Sequence, residues 1–88
     1  MPDTHELKTW PAQFAAIVSG EKTFEIREDD RGFKVGDTLK LIEWDPDKGE
    51  RVGRAAMHVY VTHLLQGGQF GLDGNFVAMS IKPRDTAA

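Results

Sequence analysis

The chain has 88 residues and 40% of them are hydrophobic, which is enough for one compact core and too little for two. It contains no cysteine, so disulfides, thiolate metal sites and cysteine nucleophiles are excluded. Fourteen acidic and eleven basic residues give a net charge of -3, which excludes a uniformly basic nucleic-acid surface and confines any such site to a local patch.

The beginning of the chain lacks the pattern of a signal peptide. The longest apolar run, at 14–18, is far shorter than the roughly 20 residues that span a bilayer. The absence of cysteine also fits a reducing compartment. The sequence therefore predicts a soluble, cytoplasmic protein that does not engage membranes, with one domain at 1–88 whose core covers about 5–82.

A short strand at 5–9 and then a helix are predicted first. Apolar residues at helical spacing form one stripe of this helix: Trp10, Phe14, Ile17 and Val18. Thr9 is the predicted N-cap, Pro11 is tolerated in the first turn, and Gly20 stands where a C-terminal cap belongs. The stripe predicts that Trp10 packs into the core.

The segment at 22–27 alternates apolar and polar residues, which is typical of a strand. Phe24 and Ile26 are predicted to face the core. The other face carries the polar side chains of Thr23, Glu25 and Arg27. Turns are predicted by composition at 28–33 and at 35–37.

Three further strands are predicted downstream, at 38–44, 54–65 and 75–82. Leu39 and Leu41 share one face of the first. The second is long enough to be bent by a β-bulge, and a helix is the alternative for it. A turn at 45–49 and a glycine-rich loop at 66–74 separate these strands. One helix followed by short, turn-linked strands predicts a small, mainly antiparallel β-barrel with the helix in its N-terminal half, because closure leaves few exposed strand edges.

Three segments are similar to a known family. They are HELKTWPAQFAAIVSGEKTFEIREDDRGFKVGDTLKLIEW at 5–44, QGGQFGL at 66–72 and VAMSIK at 77–82. In these segments the chain resembles the small free-standing ASCH-like domains of the PUA-like superfamily, a branch of unknown function. The Gly-x-Lys-Thr stretch at 20–23, the strand with charged outward positions, and the turn into a strand at 35–39 carry the resemblance.

The resemblance implies a PUA-like β-barrel with the helix beside a cleft, and it implies RNA binding, the prevailing function inferred for the superfamily. It assigns four residues to the cleft: Lys22, Thr23, Glu25 and Arg27. Lys8 lies outside the Leu7 face of the first strand, so it can join this patch, and the alternative is a solvated surface lysine. The predicted partner is single-stranded RNA or a nucleotide-like ligand, and the protein partner is unknown.

The chemistry of these side chains suits such a ligand. Arg27 offers a planar fork of donors to a phosphate or a base edge, and Lys22 adds a mobile positive charge. Glu25 accepts hydrogen bonds only, so it can select the exocyclic amine of cytosine or adenine over the carbonyl of uracil. The structural alternative is that Glu25 and Arg27 are solvated strand residues in cross-strand pairs worth about 0.2 to 1 kcal/mol each.

The glycine-rich loop is predicted to form a second wall of the cleft. Gln66 and Gln69 have amides that can pair with a base edge, and Phe70 has a ring on which a base can stack. The alternative is a flexible crossover with Phe70 turned into the core. Trp44, which ends a strand, is predicted to lie at the rim or in the core.

A second hypothesis is enzymatic. A subset of ASCH-like proteins are amidohydrolases acting on acetylated cytidine, and this chain is similar to them in the same segment. Their Gly-x-Lys-Thr-x-Thr pattern is matched at Gly20, Lys22 and Thr23, but Glu25 stands in place of the second threonine. An ammonium paired with a carboxylate is a poor nucleophile, so an amidohydrolase using Lys22 and Glu25 on an acylated pyrimidine nucleoside ranks behind binding without catalysis.

A third hypothesis is a protein-interaction module whose acidic surface addresses a basic partner. This surface includes Glu28, Asp29 and Asp30.

RNA cleavage would need a general acid and base, for which the chain offers His5, His58 and His63. No metal or cofactor is predicted, because His58 and His63 fall on opposite faces of a regular strand and the run at 45–50 lacks the ligands of a calcium loop.

Overall fold

A computed structural model describes residues 2–84 of the chain. The described chain forms five strands and a helix: β1 (Thr4–Thr9), α1 (Pro11–Ser19), β2 (Phe24–Glu28), β3 (Thr38–Asp45), β4 (Glu50–Gln66) and β5 (Phe76–Pro83). All the predicted strands and the helix are present, with bounds shifted by a few residues. Over this range, no helix has the length and apolar character needed to cross a bilayer.

The five strands form one curled, mixed sheet in the order β1-β3-β4-β5-β2. Three neighbouring pairs are antiparallel, and β1 runs parallel to β3. The prediction of a mainly antiparallel barrel is therefore replaced by a mixed sheet. The physical reason is the connection: a helix and β2 lie between β1 and β3 in the chain, and such a crossover allows parallel pairing that a short turn does not.

The core lies on the concave side of this sheet. Its fully buried side chains come from β1, β3, β4, β5 and α1 and include Leu7, Ile17, Leu39, Leu41, Val59, Val61, Val77, Met79 and Ile81. The predicted shared face of Leu39 and Leu41 is confirmed, since both are 0% exposed. Alternation with period two places these residues on one face of each strand.

Helix α1 contributes less to the core than its sequence predicts. Ile17 is buried and Phe14 packs against the core, but Trp10 and Val18 are 61% and 55% exposed. The N-cap is Trp10 and not Thr9, while Gly20 forms the left-handed C-cap as predicted. The helix therefore rests on the sheet along a narrow line and leaves its first turn open to solvent.

Strand β2 is turned over relative to the prediction. Phe24 and Ile26 are each 48% exposed, whereas Glu25 is 3% exposed. In the antiparallel register, Glu25 lies opposite Met79 and Arg27 lies opposite Val77, both of which face inward. The polar face of β2 is thus the inner face, because β2 borders a hollow and not the apolar core.

Strand β4 has the predicted bulge. The pairing register with β5 shifts between Val61 and His63. His58 lies opposite Lys40, and His63 lies opposite the exposed Ser80, so the bulge puts both histidines on the outer face of the sheet. The expectation of opposite faces is wrong for this reason. Five residues along a strand still separate the two imidazoles by about 16 Å, too far to share a metal.

Candidate functional site

The two edge strands of the curled sheet face each other across a gap that we call the seam. Among residues 2–84, β1 and β2 share no ladder of backbone hydrogen bonds. Two arginine side chains reach across instead: Arg27 Nη2 donates to the carbonyl of Lys8 at 2.8 Å, and Arg31 Nη1 donates to the carbonyl of Glu6 at 2.8 Å. In a closed barrel these carbonyls of β1 would accept hydrogen bonds from backbone N–H groups of a neighbouring strand. Here arginine side chains are the donors, and the seam is open.

A hollow of about 300 Å³ opens at this seam and is called the seam hollow below. Its lining comes from the end of β1, the start of α1, one residue shortly before β2, and β2 itself: Lys8, Thr9, Trp10, Gln13, Lys22, Glu25, Ile26 and Arg27. The volume lies at the lower end of the range for small-molecule sites, roughly 300 to 1,000 Å³.

Glu25 is the buried centre of the seam hollow. Its Oε2 accepts a hydrogen bond of 2.7 Å from Arg27 Nε, and its Oε1 lies 3.4 Å from Lys22 Nζ. Two cations therefore compensate a carboxylate that burial alone would make costly. The arrangement holds Lys22 and Arg27 close together despite their like charge.

Neutral groups fix the same two cations in place. Lys22 Nζ donates to Gln13 Oε1 at 2.7 Å, and Arg27 Nη2 donates to Thr9 Oγ1 at 3.3 Å. Each cation is thus held by two elements of the fold. Such prior fixing lowers the conformational entropy that a ligand must remove on binding.

The charge balance of the seam hollow differs from that of the chain. Three cationic side chains and one carboxylate line it, which gives a formal charge of +2, whereas the whole chain carries -3. The N-terminus of α1 opens on this hollow, has no side-chain cap and has no acidic residue in its first turn. Its unpaired N–H groups add positive potential, so the hollow favours anions.

The structure brings four of the eight predicted ligand-binding residues to the seam hollow: Lys8, Lys22, Glu25 and Arg27. Thr23 lies elsewhere. It lines a small cavity on the far side of Lys22, and its carbonyl accepts a hydrogen bond from the N–H of Ile81. Lys8 also stacks its ammonium 4.0 Å from the ring centre of Trp44, which is half-buried on the outer face.

The glycine-rich loop does not form a second wall. Gln66, Gln69 and Phe70 are absent from the lining of the seam hollow. Gln69 Nε2 donates to the carbonyl of Gln66 within the loop, and Phe70 is 89% exposed with a positive φ of 53°. The alternative of a core position for Phe70 is therefore wrong as well. Both expectations failed because local composition carries no information on where a loop points.

Four residues of the seam hollow were not predicted: Thr9, Trp10, Gln13 and Ile26. The first three cluster where β1 passes directly into α1. The end of a parallel strand followed by a helix N-terminus is a recurrent location for binding sites, so this junction was the available signal.

A second polar cluster joins the start of β1 to Asp37, which lies in the segment predicted only as a turn at 35–37. Asp37 is 0% exposed. Its carboxylate accepts hydrogen bonds from the backbone N–H of Asp3, the backbone N–H of Lys34 and the ring of His5, at 2.9, 3.0 and 2.9 Å. Through these bonds one side chain ties β1 to the turn before β3.

The cluster has the outline of a metal site but contains its own cation. Ligand atoms of Asp3, His5 and Asp37 lie within 4.8 Å of one another. Lys34 Nζ lies 2.9 Å from Asp3 Oδ2 and 3.7 Å from Asp37 Oδ2. An ammonium next to both carboxylates supplies the positive charge that a metal ion would bring, so the arrangement is explained by the protein alone.

The stability of the protein should depend on pH through Asp37. Burial raises the pKa of this carboxyl, but hydrogen bonds from Asp3, His5 and Lys34 outweigh it and hold the pKa below its ordinary value of 3.8. A depressed folded-state pKa stabilises the fold above the unfolded-state value, and this contribution is lost as pH falls through the folded value. We therefore expect the free energy of unfolding to decrease as the pH is lowered from about 4.

Urea unfolding at a series of pH values between about 2 and 6 measures this effect. In Asp37→Asn the drop in the free energy of unfolding should be smaller, since the group that titrates is gone. Equal pH dependence in the two proteins would show that other carboxylates are responsible.

Comparison with known proteins gives a family without a known function. Residues 4–81 match the model of a family described as a domain of unknown function, DUF3850. The chain is also similar to an uncharacterized 12.9 kDa protein in the GpA 3′ region of Escherichia phage P2, with 41% identity over 44 residues. The aligned segment covers 50% of this chain and 40% of the phage protein.

Proposed function

We propose that this chain, which belongs to the DUF3850 family of domains of unknown function, binds single-stranded RNA or a nucleotide in the seam hollow. The observation that carries the proposal is the convergence of Lys22 and Arg27 on the buried carboxylate of Glu25, in a hollow that Trp10 also lines. Fixed cations, a fixed acceptor and an aromatic ring are the groups that a nucleotide requires.

Arg27 and Lys22 have hydrogen-bond donors available for the phosphate of a bound nucleotide. Arg27 uses Nε and Nη2 on protein acceptors, and within the described residues its Nη1 has no hydrogen-bond partner in the protein. Nη1 therefore has its N–H groups available to a phosphate oxygen. Lys22 has three N–H donors and two protein partners, Gln13 and Glu25, which leaves one donor for the same ligand.

Trp10, Glu25 and Gln13 can contact the base of the nucleotide. Trp10 is 61% exposed on the wall of the hollow, and a base stacked on such a ring gains about 1 to 3 kcal/mol. An ionised carboxylate has about four lone-pair sites, so Glu25 can accept from an exocyclic amine while it also pairs with its two cations. The amide of Gln13 adds a donor and makes the hollow able to distinguish base edges.

The architecture supports the finer assignment to the ASCH-like branch of the PUA-like superfamily, which we include in the proposal. The resemblance implies a β-barrel with a helix beside a cleft, and the curled, mostly β sheet with one helix beside a polar hollow is compatible with that arrangement. The alternative of an amidohydrolase has less support, because Lys22 is engaged by Gln13 and Glu25 and no hydroxyl stands at position 25. The acidic residues of the interaction-module hypothesis lie outside the seam hollow.

Replacing Arg27 with alanine should weaken the binding of single-stranded RNA about five- to tenfold, because one fixed phosphate donor is lost. The dependence of affinity on salt should also become shallower, by about 0.7 in the slope of log K against log salt for one lost phosphate contact. Fluorescence anisotropy with a labelled tetranucleotide, at two or more salt concentrations, measures both quantities.

Arg54→Ala is the matched control, since Arg54 is exposed in β4 and lines neither the seam hollow nor any described cavity. It removes the same charge and should change affinity less than about twofold. Equal effects of the two variants, or affinity that is indifferent to salt, would refute binding in the seam hollow. Circular dichroism of each variant confirms that loss of binding is not loss of fold.

A further inference from the structure

We infer that the seam hollow is one of two adjoining subsites, so that the natural ligand is an oligonucleotide of two or more residues and not a single nucleotide. This inference rests on the proposed function and goes beyond it by naming the class of ligand and a second set of contacts. It comes from a second hollow of about 370 Å³ on the other side of the seam, called the outer hollow below.

The two hollows meet at the residues that bridge the seam. The outer hollow is lined by Glu6, Lys8, Arg27, Arg31 and Ile42. Lys8 and Arg27 line both hollows. A phosphate bound between these two cations would have the seam hollow on one side and the outer hollow on the other. That is the arrangement of a phosphodiester with a nucleoside at each end.

Arg31 gives the outer hollow its own phosphate donor. Its Nη1 is held by the carbonyl of Glu6 at 2.8 Å, and its Nε lies 3.8 Å from a carboxylate oxygen of Asp30. The side chain is 42% exposed, and within the described residues its Nη2 has no partner. The guanidinium is thus fixed from one side and open on the other, as for Arg27.

The shape and charge of the outer hollow favour a second nucleoside over phosphate alone. Three cations and the carboxylate of Glu6 give it a formal charge of +2, and the aliphatic side chain of Ile42 lines it. The outer hollow, at about 370 Å³, is no smaller than the seam hollow, at about 300 Å³, so each has room for one nucleoside.

Calorimetric titration with ligands of increasing length tests the inference. The probes are cytidine 5′-monophosphate, cytidine 5′-triphosphate, the dinucleotide CpC with a 5′-phosphate, and the tetranucleotide. We expect the dinucleotide to bind about fivefold or more tightly than the monophosphate, and the triphosphate to gain less than the dinucleotide although it carries more charge.

Arg31→Gln should remove most of the gain from the second nucleotide, so that the dinucleotide binds only about as tightly as the monophosphate. Arg54→Gln is the matched control, because it removes an exposed arginine that lines neither hollow. The comparison of ligand lengths on the unaltered protein does not depend on any variant being folded.

Each outcome has one meaning. If the monophosphate binds and longer ligands gain nothing, the two-subsite inference is wrong and the proposed function survives. If the triphosphate binds as tightly as the dinucleotide, the outer hollow takes phosphate groups and the inference is again wrong. If none of the four probes binds, the proposed function itself fails and the inference falls with it.

Discussion

Replacing Asp37 with alanine should lower the free energy of unfolding by about 2 to 4 kcal/mol, out of a total that is about 5 to 15 kcal/mol for a domain of this kind. The side chain is fully buried and accepts hydrogen bonds from three residues that belong to two segments of the chain. Alanine would leave the N–H groups of Asp3 and Lys34 and the ring of His5 without their acceptor. Thermal and urea unfolding measure the loss.

The size of this effect separates a structural carboxylate from a surface one. Asp47→Ala is the matched control, because Asp47 is exposed in the turn between β3 and β4. It should change the free energy of unfolding by less than about 0.5 kcal/mol. A loss for Asp37→Ala below about 1 kcal/mol would mean that water replaces the missing acceptor and that the cluster does not hold β1 in place.

The cluster around Asp37 also bears on the seam. It fixes the first half of β1, and the second half of the same strand supplies Lys8 and Thr9 to the seam hollow. An edge strand held by a single neighbour has few other constraints on its position. Loss of Asp37 should therefore loosen the strand whose carbonyls of Glu6 and Lys8 orient Arg31 and Arg27.

The sequence predicted the elements well because periodicity is a local property. Alternation at 38–44 and the glycines at the ends of elements depend on neighbours in the chain, and they identified β3 and the C-cap of α1. Topology was predicted less well. Nothing local indicates that β1 pairs parallel with β3, or that arginine side chains bridge the two edges of the sheet where backbone hydrogen bonds do not.

The candidate site shows the same division. The alternation of polar and apolar residues in β2 correctly predicted which side chains share a face. The rule that apolar residues face inward then assigned the wrong face to the interior, since Glu25 is buried and Phe24 is exposed. The rule fails because the inner face of an edge strand can border a hollow, where polar side chains find partners. Asp37 was missed for a related reason: an aspartate in a turn has the same sequence signature whether it is solvated or buried.

Glu25→Gln tests the central contact of the site and should have two effects. The oxygen of the glutamine amide can still accept a hydrogen bond from one cation. The NH₂ group of the amide must then face the other cation, so either Lys22 or Arg27 loses its partner. We expect the free energy of unfolding to fall by about 1 to 3 kcal/mol. Because one negative charge is also lost, affinity for a triphosphate probe should rise by about threefold.

The second effect concerns base selectivity. A carboxylate accepts only, so the unaltered protein should bind tetracytidylate about tenfold more tightly than tetrauridylate, whereas an amide that also donates should narrow this ratio to about twofold. Glu28→Gln is the matched control, since Glu28 lies in the same strand and is exposed, and the substitution removes the same charge. Anisotropy titrations with the two tetranucleotides give both ratios. If both variants leave the ratio unchanged, Glu25 is a structural partner of Lys22 and Arg27 and does not contact the base.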